Sequence, residues 1–224
     1  MSVSLETSEG IATIQIDDGK KNVINHAVLD ELEEAWQKAS QDDAVKAIIL
    51  AGRPGSFCAG YDVSVMTGED RHASAELGRR GGVFAHALYG SAKPTVAVSC
   101  GHAFTIGAVW LACADVRFGE QGPFKYGMTE VALGVPFSDW PLVPLRARLK
   151  SEHQISALLH SRIHTPVEAL EAGFIDELVA ADQGMARARE MATQLAQLPN
   201  HAYALTKQRM RETELKVMAD DLGL

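Results

Sequence analysis

Residues 48–62 read IILAGRPGSFCAGYD. The run that leads into them, AVKAIILAG at 44–52, is apolar without alternation, the pattern of a strand covered on both faces in a parallel sheet. It passes into GSFCAGYDV at 55–63, a stretch dominated by small residues. Small residues let a backbone bend sharply and let another group approach it closely. The stretch therefore either packs against its own neighbours or leaves main-chain N–H groups bare for a ligand.

A second stretch repeats the design. VAVSCGHAFTIGAVWL at 96–111 is again a buried strand, a small-residue turn and the start of a helix. The first N–H groups of a helix lack intrahelical partners and carry the positive end of its dipole. Two such groups from separate turns can converge on one oxygen and favour negative charge there, which is an oxyanion hole. By pattern alone, the favoured reading of the pair is two ordinary helix starts in an α/β protein.

Outward from these turns, residues 3–17 alternate around Glu9-Gly10 and predict a β-hairpin. HAVLDELEEAWQKASQ at 26–41 carries an apolar helical face at Val28, Leu29, Leu32, Ala35 and Trp36. A weaker helix is predicted over 74–90, a buried strand over 93–101, a helix over 107–115, and short strands over 116–119 and 124–127. Helices follow at 151–161 and at 165–173, the latter with Pro just inside its start and Gly at its end. Residues 174–180 return as a strand or turn, and 185–199 and 201–222 are helical. Alternating strands and helices predict an α/β layer fold with a helical C-terminal region.

The chain of 224 residues is 46% hydrophobic and 22% charged, enough for a packed core. A net charge of −8 argues against nucleic-acid binding. The three cysteines, Cys58, Cys100 and Cys113, have no paired spacing, and MSVSLETSEG lacks the basic and apolar regions of a signal peptide. Both features lead us to expect a reduced, cytoplasmic protein. Apolar runs are too short for a membrane span, and no His/Cys/Asp cluster has metal-ligand spacing.

Four motifs in order, FCAGYDV (57–63), GHAFTIGAVWLACADVRFG (101–119), FKYGMTEVALGVP (124–136) and HSRIHTPVEALEAGFIDELV (160–179), resemble the crotonase (enoyl-CoA hydratase/isomerase) superfamily. The resemblance runs from about Gly10 to about Val179. It implies a crotonase-like spiral of ββα units over residues 1–180 and a C-terminal helical segment over 181–224. It also implies an acyl-CoA thioester substrate in fatty-acid metabolism, no cofactor beyond that substrate, and assembly as a homotrimer or dimer of trimers.

Carried over by position, the first oxyanion donor is the N–H of Tyr61, between Gly60 and Asp62, and the second is the N–H of Ile106, just before Gly107. Ala59, Gly60, Gly107 and Val109 then lie against the bound thioester. The family usually has glycine at the Ile106 position, where a β-branched residue needs ordinary dihedrals or strain. Asp62 is well placed to cap the helix after it. Cys58 reads as buried filler.

The family's hydratases use two glutamates. The position of one is Val109 here, and the other is present as Glu130 in MTEVALG. One carboxylate above an enolate suits removal of a proton from C2 and its return at C4. The family's Δ3,Δ2-enoyl-CoA isomerases have this arrangement, and TEVALGVPF is similar to their motif. Alternatives are a hydratase or another crotonase-type lyase, hydrolase or decarboxylase, and, in a different class, a non-catalytic acyl-CoA-binding assembly subunit. Without the resemblance, Glu130 reads equally as a surface residue or cap. Asp139 is the reserve acid, and His86 and His102 read as structural. Candidate cations for the CoA phosphates are Lys20, Lys21, Arg53, Lys207, Arg209 and Arg211. The 65–93 segment, expected to line the acyl end, carries no clear pattern.

Overall fold

A computed structural model describes all 224 residues. Strands β1 (Val3–Ser8) and β2 (Ile11–Ile16) form the hairpin, closed by Glu9 at φ 52° and Gly10 at φ 77°. Two successive positive φ angles match the right-handed twist of the flanking strands, which is why a Gly-containing two-residue turn works here. Next come β3 (Val23–Ile24), α1 (His26–Gln41), β4 (Ala47–Ala51), β5 (Gly55–Cys58), β6 (Gly60–Tyr61), α2 (Val63–Met66) and α3 (Arg71–Tyr89). The chain continues through β7 (Thr95–Ser99), β8 (Gly101–Phe104), α4 (Ile106–Cys113), β9 (Val116–Glu120) and β10 (Tyr126–Gly127). It then runs through α5 (Asp139–Arg148), α6 (Ser151–Gln154), α7 (Pro166–Ala172), β11 (Glu177–Val179), α8 (Gly184–Ala196) and α9 (Asn200–Leu222).

The main sheet has the order β1-β2-β4-β7-β9-β11, antiparallel at the hairpin and parallel elsewhere. Every residue of β4 and β7 is buried, as the unbroken apolar runs require. Two small sheets, β10-β8-β5 and β3-β6, form a second layer. All eight residues of α4 are buried, consistent with its being apolar all round. It carries Trp110, which meets Phe84 of α3 edge-on at 5.0 Å; Phe84 in turn meets Trp36 of α1 at 5.6 Å. No helix is long and apolar enough to cross a membrane.

One helix, α5, has no counterpart in the sequence reading, and two readings need correction. Pro141 lies in the first turn, where its missing N–H is an orphan in any case, and the Asp221 carboxylate of α9 accepts the N–H of Trp140 at 2.9 Å. The helix expected over 151–161 is one α turn followed by a π-helical turn at Ile155–Leu159. In place of a simple small-residue turn, residues 55–61 form two short strands.

Candidate active site

The loop before β3 ties the second layer together. The Asp18 carboxylate accepts the N–H groups of Lys20 (2.7 Å), Asn22 (2.9 Å) and Val23 (3.1 Å). Asn22 is fully buried with φ 55°, and its amide donates to the carbonyls of Ile16, Ser56 and Phe57 at 2.7–3.1 Å. Sequence reasoning missed Asn22. Its signal was an Asx residue in a turn, a type that tolerates left-handed backbone and bonds locally.

β5 runs parallel to β8, with Cys58 opposite Ala103. At Gly60 (φ 104°) the chain leaves that sheet and pairs with β3 through Val23–Gly60 and Ile24–Tyr61. The N–H of Asp62 donates to the Ile24 carbonyl at 2.8 Å. Successive N–H groups on a strand point to opposite sides, so the N–H of Tyr61 faces the edge of β6 that no strand covers. Tyr61 precedes α2 and is not its first residue, so the helix-dipole argument does not apply to this donor. Asp62 does cap α2, accepting the N–H of Ser64 at 2.8 Å.

Ile106 is the first residue of α4, and the first bond of that helix is from the Val109 N–H to the Thr105 carbonyl at 3.1 Å. The Ile106 N–H is therefore a helix orphan. The strain expected at Ile106 falls on Thr105 instead, at φ 47° and ψ −120°, a conformation that suits glycine and costs a β-branched residue about 1–3 kcal/mol. The Thr105 hydroxyl is buried without a partner. It packs against Gly60, where an added Cβ would lie 2.5 Å from it.

Tyr61, Ile106, Val109 and Glu130 line one cavity of about 350 Å³, walled by α3 on one side and by Phe137 and Trp140 on the other. The α3 face at this wall carries Ser74, Ala75 and Gly78, and a Cβ added at Gly78 would meet nothing within 4 Å. Gly81 is needed one turn further on, because the Tyr61 phenol occupies the place of its side chain. That phenol donates to the Gly78 carbonyl at 3.3 Å.

Glu130 stands at the start of a short 3-10 turn, Val131–Leu133. Its Oε2 is buried with no partner, and burial pushes its carboxyl up to about 6. It is the one carboxylate lining the cavity. Asp139 instead lines a separate surface groove with Arg146 and Glu214. Val109 is 1% exposed. A carboxylate held near neutrality in an apolar wall can take up and return a proton at neutral pH.

The cations divide. Arg53 is bound to the Asp17 carboxylate (2.9 Å) and the Lys20 carbonyl (2.7 Å), and Lys20 and Lys21 are exposed beside it. Lys125, which sequence reasoning passed over, joins this group. Burial lowers the pKa of His102, and the charges of Lys125 and Lys21 lower it further. The His102 ring accepts the Lys125 N–H at 3.1 Å and stacks on Phe104, a structural placement. Lys207 and Arg211 are elsewhere. They bind Asp115 at 2.8 and 3.0 Å in a larger cavity of about 450 Å³ that shares no residue with the first. The charges of the larger cavity are already paired with one another. Arg209 is exposed on α9.

Residues 6–222 match the family model for enoyl-CoA hydratase/isomerase. The mitochondrial enoyl-CoA delta isomerase 1 of Mus musculus is 28% identical over 222 residues, 98% of this chain and 75% of that protein. The crystal structure of an enoyl-CoA hydratase from Mycobacterium ulcerans superposes with a TM-score of 0.95 at 30% identity, covering 100% of this chain and 97% of that one. One protein of Mycobacterium tuberculosis, named a probable enoyl-CoA hydratase in one structure and an enoyl-CoA isomerase in another, superposes with TM-scores of 0.95 and 0.93 at 31% identity, covering 100% and 99% of this chain and 94% and 96% of that one. Hydratases and isomerases thus lie at similar distances, and the fold is the α/β crotonase fold. The chain belongs to the enoyl-CoA hydratase/isomerase family.

Proposed function

We propose that this protein is a Δ3,Δ2-enoyl-CoA isomerase in which Glu130 is both base and acid. The observation that carries the proposal is the single carboxylate of the cavity, raised by burial to about 6 with its Oε2 unpartnered, where Val109 stands at the position of the hydratases' second glutamate. In the proposed reaction, the Glu130 carboxylate takes a proton from C2 of a 3-enoyl thioester. The C–H electron pair forms the C1–C2 double bond, and negative charge moves to the thioester oxygen. The main-chain N–H groups of Tyr61 and Ile106 stabilise that oxyanion, and removing one such donor typically costs about 10²–10³ in rate. The carbonyl then re-forms, the C2–C3 double bond appears, and C4 takes the proton back from Glu130. Valine at position 109 neither anchors a water nor exchanges a proton, which disfavours hydration. The mouse enzyme carries the isomerase name, in line with this reading.

The phosphates of CoA would meet Lys20, Lys21 and Lys125, which lie near Arg53; Arg53 is itself paired with Asp17, and Lys207 and Arg211 are committed to Asp115. Assembly as a trimer or a dimer of trimers belongs to the same proposal. Supporting it are exposed apolar side chains beyond Glu130, Leu133 (71%), Ile155 (56%) and Leu159 (56%), a cluster that association would cover. Sedimentation as a monomer at micromolar concentration would remove the assembly claim. The functional test is product analysis from 3-enoyl-CoA and 2-enoyl-CoA with one purified preparation. Isomerisation faster than hydration is expected, and the reverse order would overturn the assignment in favour of a hydratase.

A further inference from the structure

Cys58 is fully buried in β5, and its sulfur lies between the two turns that carry the main-chain donors. The N–H of Gly60 donates to Sγ at 3.4 Å. From the other side, Gly107 packs on the same side chain, and a Cβ added there would lie 3.1 Å from Sγ. The second contact requires glycine: a Cβ added at Gly107 would lie 2.6 Å from the Cys58 Cβ and 2.8 Å from its carbonyl oxygen. One side chain thereby touches both turns at once, one through a hydrogen bond and one through packing. Each touching residue is the covalent neighbour of a proposed donor, Gly60 directly before Tyr61 and Gly107 directly after Ile106.

We infer that Cys58 is a positioning residue whose sulfur sets the separation of the Tyr61 and Ile106 N–H groups. This rests on the oxyanion hole proposed above. Consecutive Cα atoms are held about 3.8 Å apart across a planar peptide. A shift of the Gly60 or Gly107 N–H is therefore passed to the adjacent donor with little slack. Sulfur suits the task because it is a long-range acceptor. Oxygen prefers an N···O distance of about 2.9–3.0 Å, so a serine hydroxyl would draw the Gly60 turn inward or lose its bond, and it fills less of the space against Gly107. No nucleophilic role competes with this one. Burial pushes the thiol up to about 12, so it is neutral at pH 7.

The experiment uses the saturated thioester butyryl-CoA, labelled with ¹³C at its carbonyl, bound to wild type, Cys58→Ser and Cys58→Ala. The isotope-edited infrared frequency of the bound carbonyl reports its polarisation by the two donors without any turnover. Thermal melting identifies the variants that fold, and the serine variant serves if alanine does not. The expected result is a lowered carbonyl frequency in wild type and a smaller lowering in the variants. With it, kcat for 3-enoyl-CoA should fall about 10–10²-fold while KM and butyryl-CoA affinity stay within threefold. A wild-type frequency equal to that in water would overturn the oxyanion hole itself. A lowered wild-type frequency that both folded variants retain, with unchanged kcat, would leave the hole standing and overturn the role of Cys58, even if their melting temperatures fell.

Discussion

Replacing Glu130 by glutamine should inactivate the protein and stabilise it in the same stroke. The carboxyl is raised from 4.5 to about 6 by burial, and its Oε2 has no partner. A folded-state pKa above the unfolded value means that the folded protein holds the proton more tightly. Stability therefore falls as pH rises through the window from 4.5 to 6, and the full cost is present at pH 7. At about 1.4 kcal/mol per pH unit, the gap between the two values corresponds to about 2 kcal/mol. The same linkage leaves under about 1 kcal/mol at pH 5. Glutamine keeps the shape and never ionises, so the variant should gain up to about 2 kcal/mol over wild type at pH 7, with the advantage shrinking towards pH 5. Urea unfolding of both proteins at pH 5, 6 and 7, at one protein concentration, measures this. In parallel, isomerisation should drop by about 10²–10⁴, while binding of a saturated acyl-CoA stays nearly unchanged. The wild-type kcat/KM should fall about tenfold per pH unit below pH 6, since the base must be ionised. A variant less stable than wild type at pH 7, or one with the same pH slope, would refute the unpaired-carboxylate argument. Activity within tenfold of wild type would refute Glu130 as the base.

Three further outcomes follow from the same geometry. Val109→Glu should raise hydration of 2-enoyl-CoA relative to isomerisation while costing about 1–3 kcal/mol of overpacking in a site 1% exposed; an unchanged product ratio in the folded variant would show that a second carboxylate is not what hydration lacks. Thr105→Gly should stabilise the protein by about 1–2 kcal/mol, because φ 47° with ψ −120° is glycine territory; a lower melting temperature would show that the threonine contacts outweigh the strain. Asp115→Asn leaves Lys207 and Arg211 without the carboxylate they share at 2.8 and 3.0 Å and should cost about 3–5 kcal/mol; a loss under 1 kcal/mol would mean that solvent or backbone already compensates those charges.

The main sheet was legible because burial on both faces leaves a local mark. β4 (Ala47–Ala51) is apolar at every position and β7 is apolar over Val96–Val98 without alternation, so no partner need be known to recognise them. The Glu9-Gly10 hairpin, the α1 stripe and the Thr165-Pro166 start of α7 are legible for the same reason: their determinants lie within a few residues of one another. α3 was harder. Its glycines at 78, 81 and 82 weaken a helical pattern, and their purposes lie elsewhere in the chain. Gly81 makes room for Tyr61, Gly82 makes room for Trp140 and Leu222, and Gly78 leaves the cavity open. The second layer was hardest. β5, β6 and β8 are two to four residues long and exist through pairing with distant strands and through the buried Asn22 amide.

The candidate site divides along the same line. Sequence motifs pointed to Tyr61, Ile106, Val109 and Glu130 one by one, and the family they resemble is the family to which the chain belongs. Tertiary structure decided that those four share a cavity, that Asp139, Lys207 and Arg211 stand outside it, and that the N–H of Tyr61, the first proposed donor, lies on a free strand edge. It also moved the backbone strain to Thr105 and made Cys58 a contact between the two turns. The physical reason is range. Residue type and spacing record what a segment does to itself, whereas a cavity, an unpaired buried oxygen and a side chain held between two turns depend on which distant segments the fold presses together.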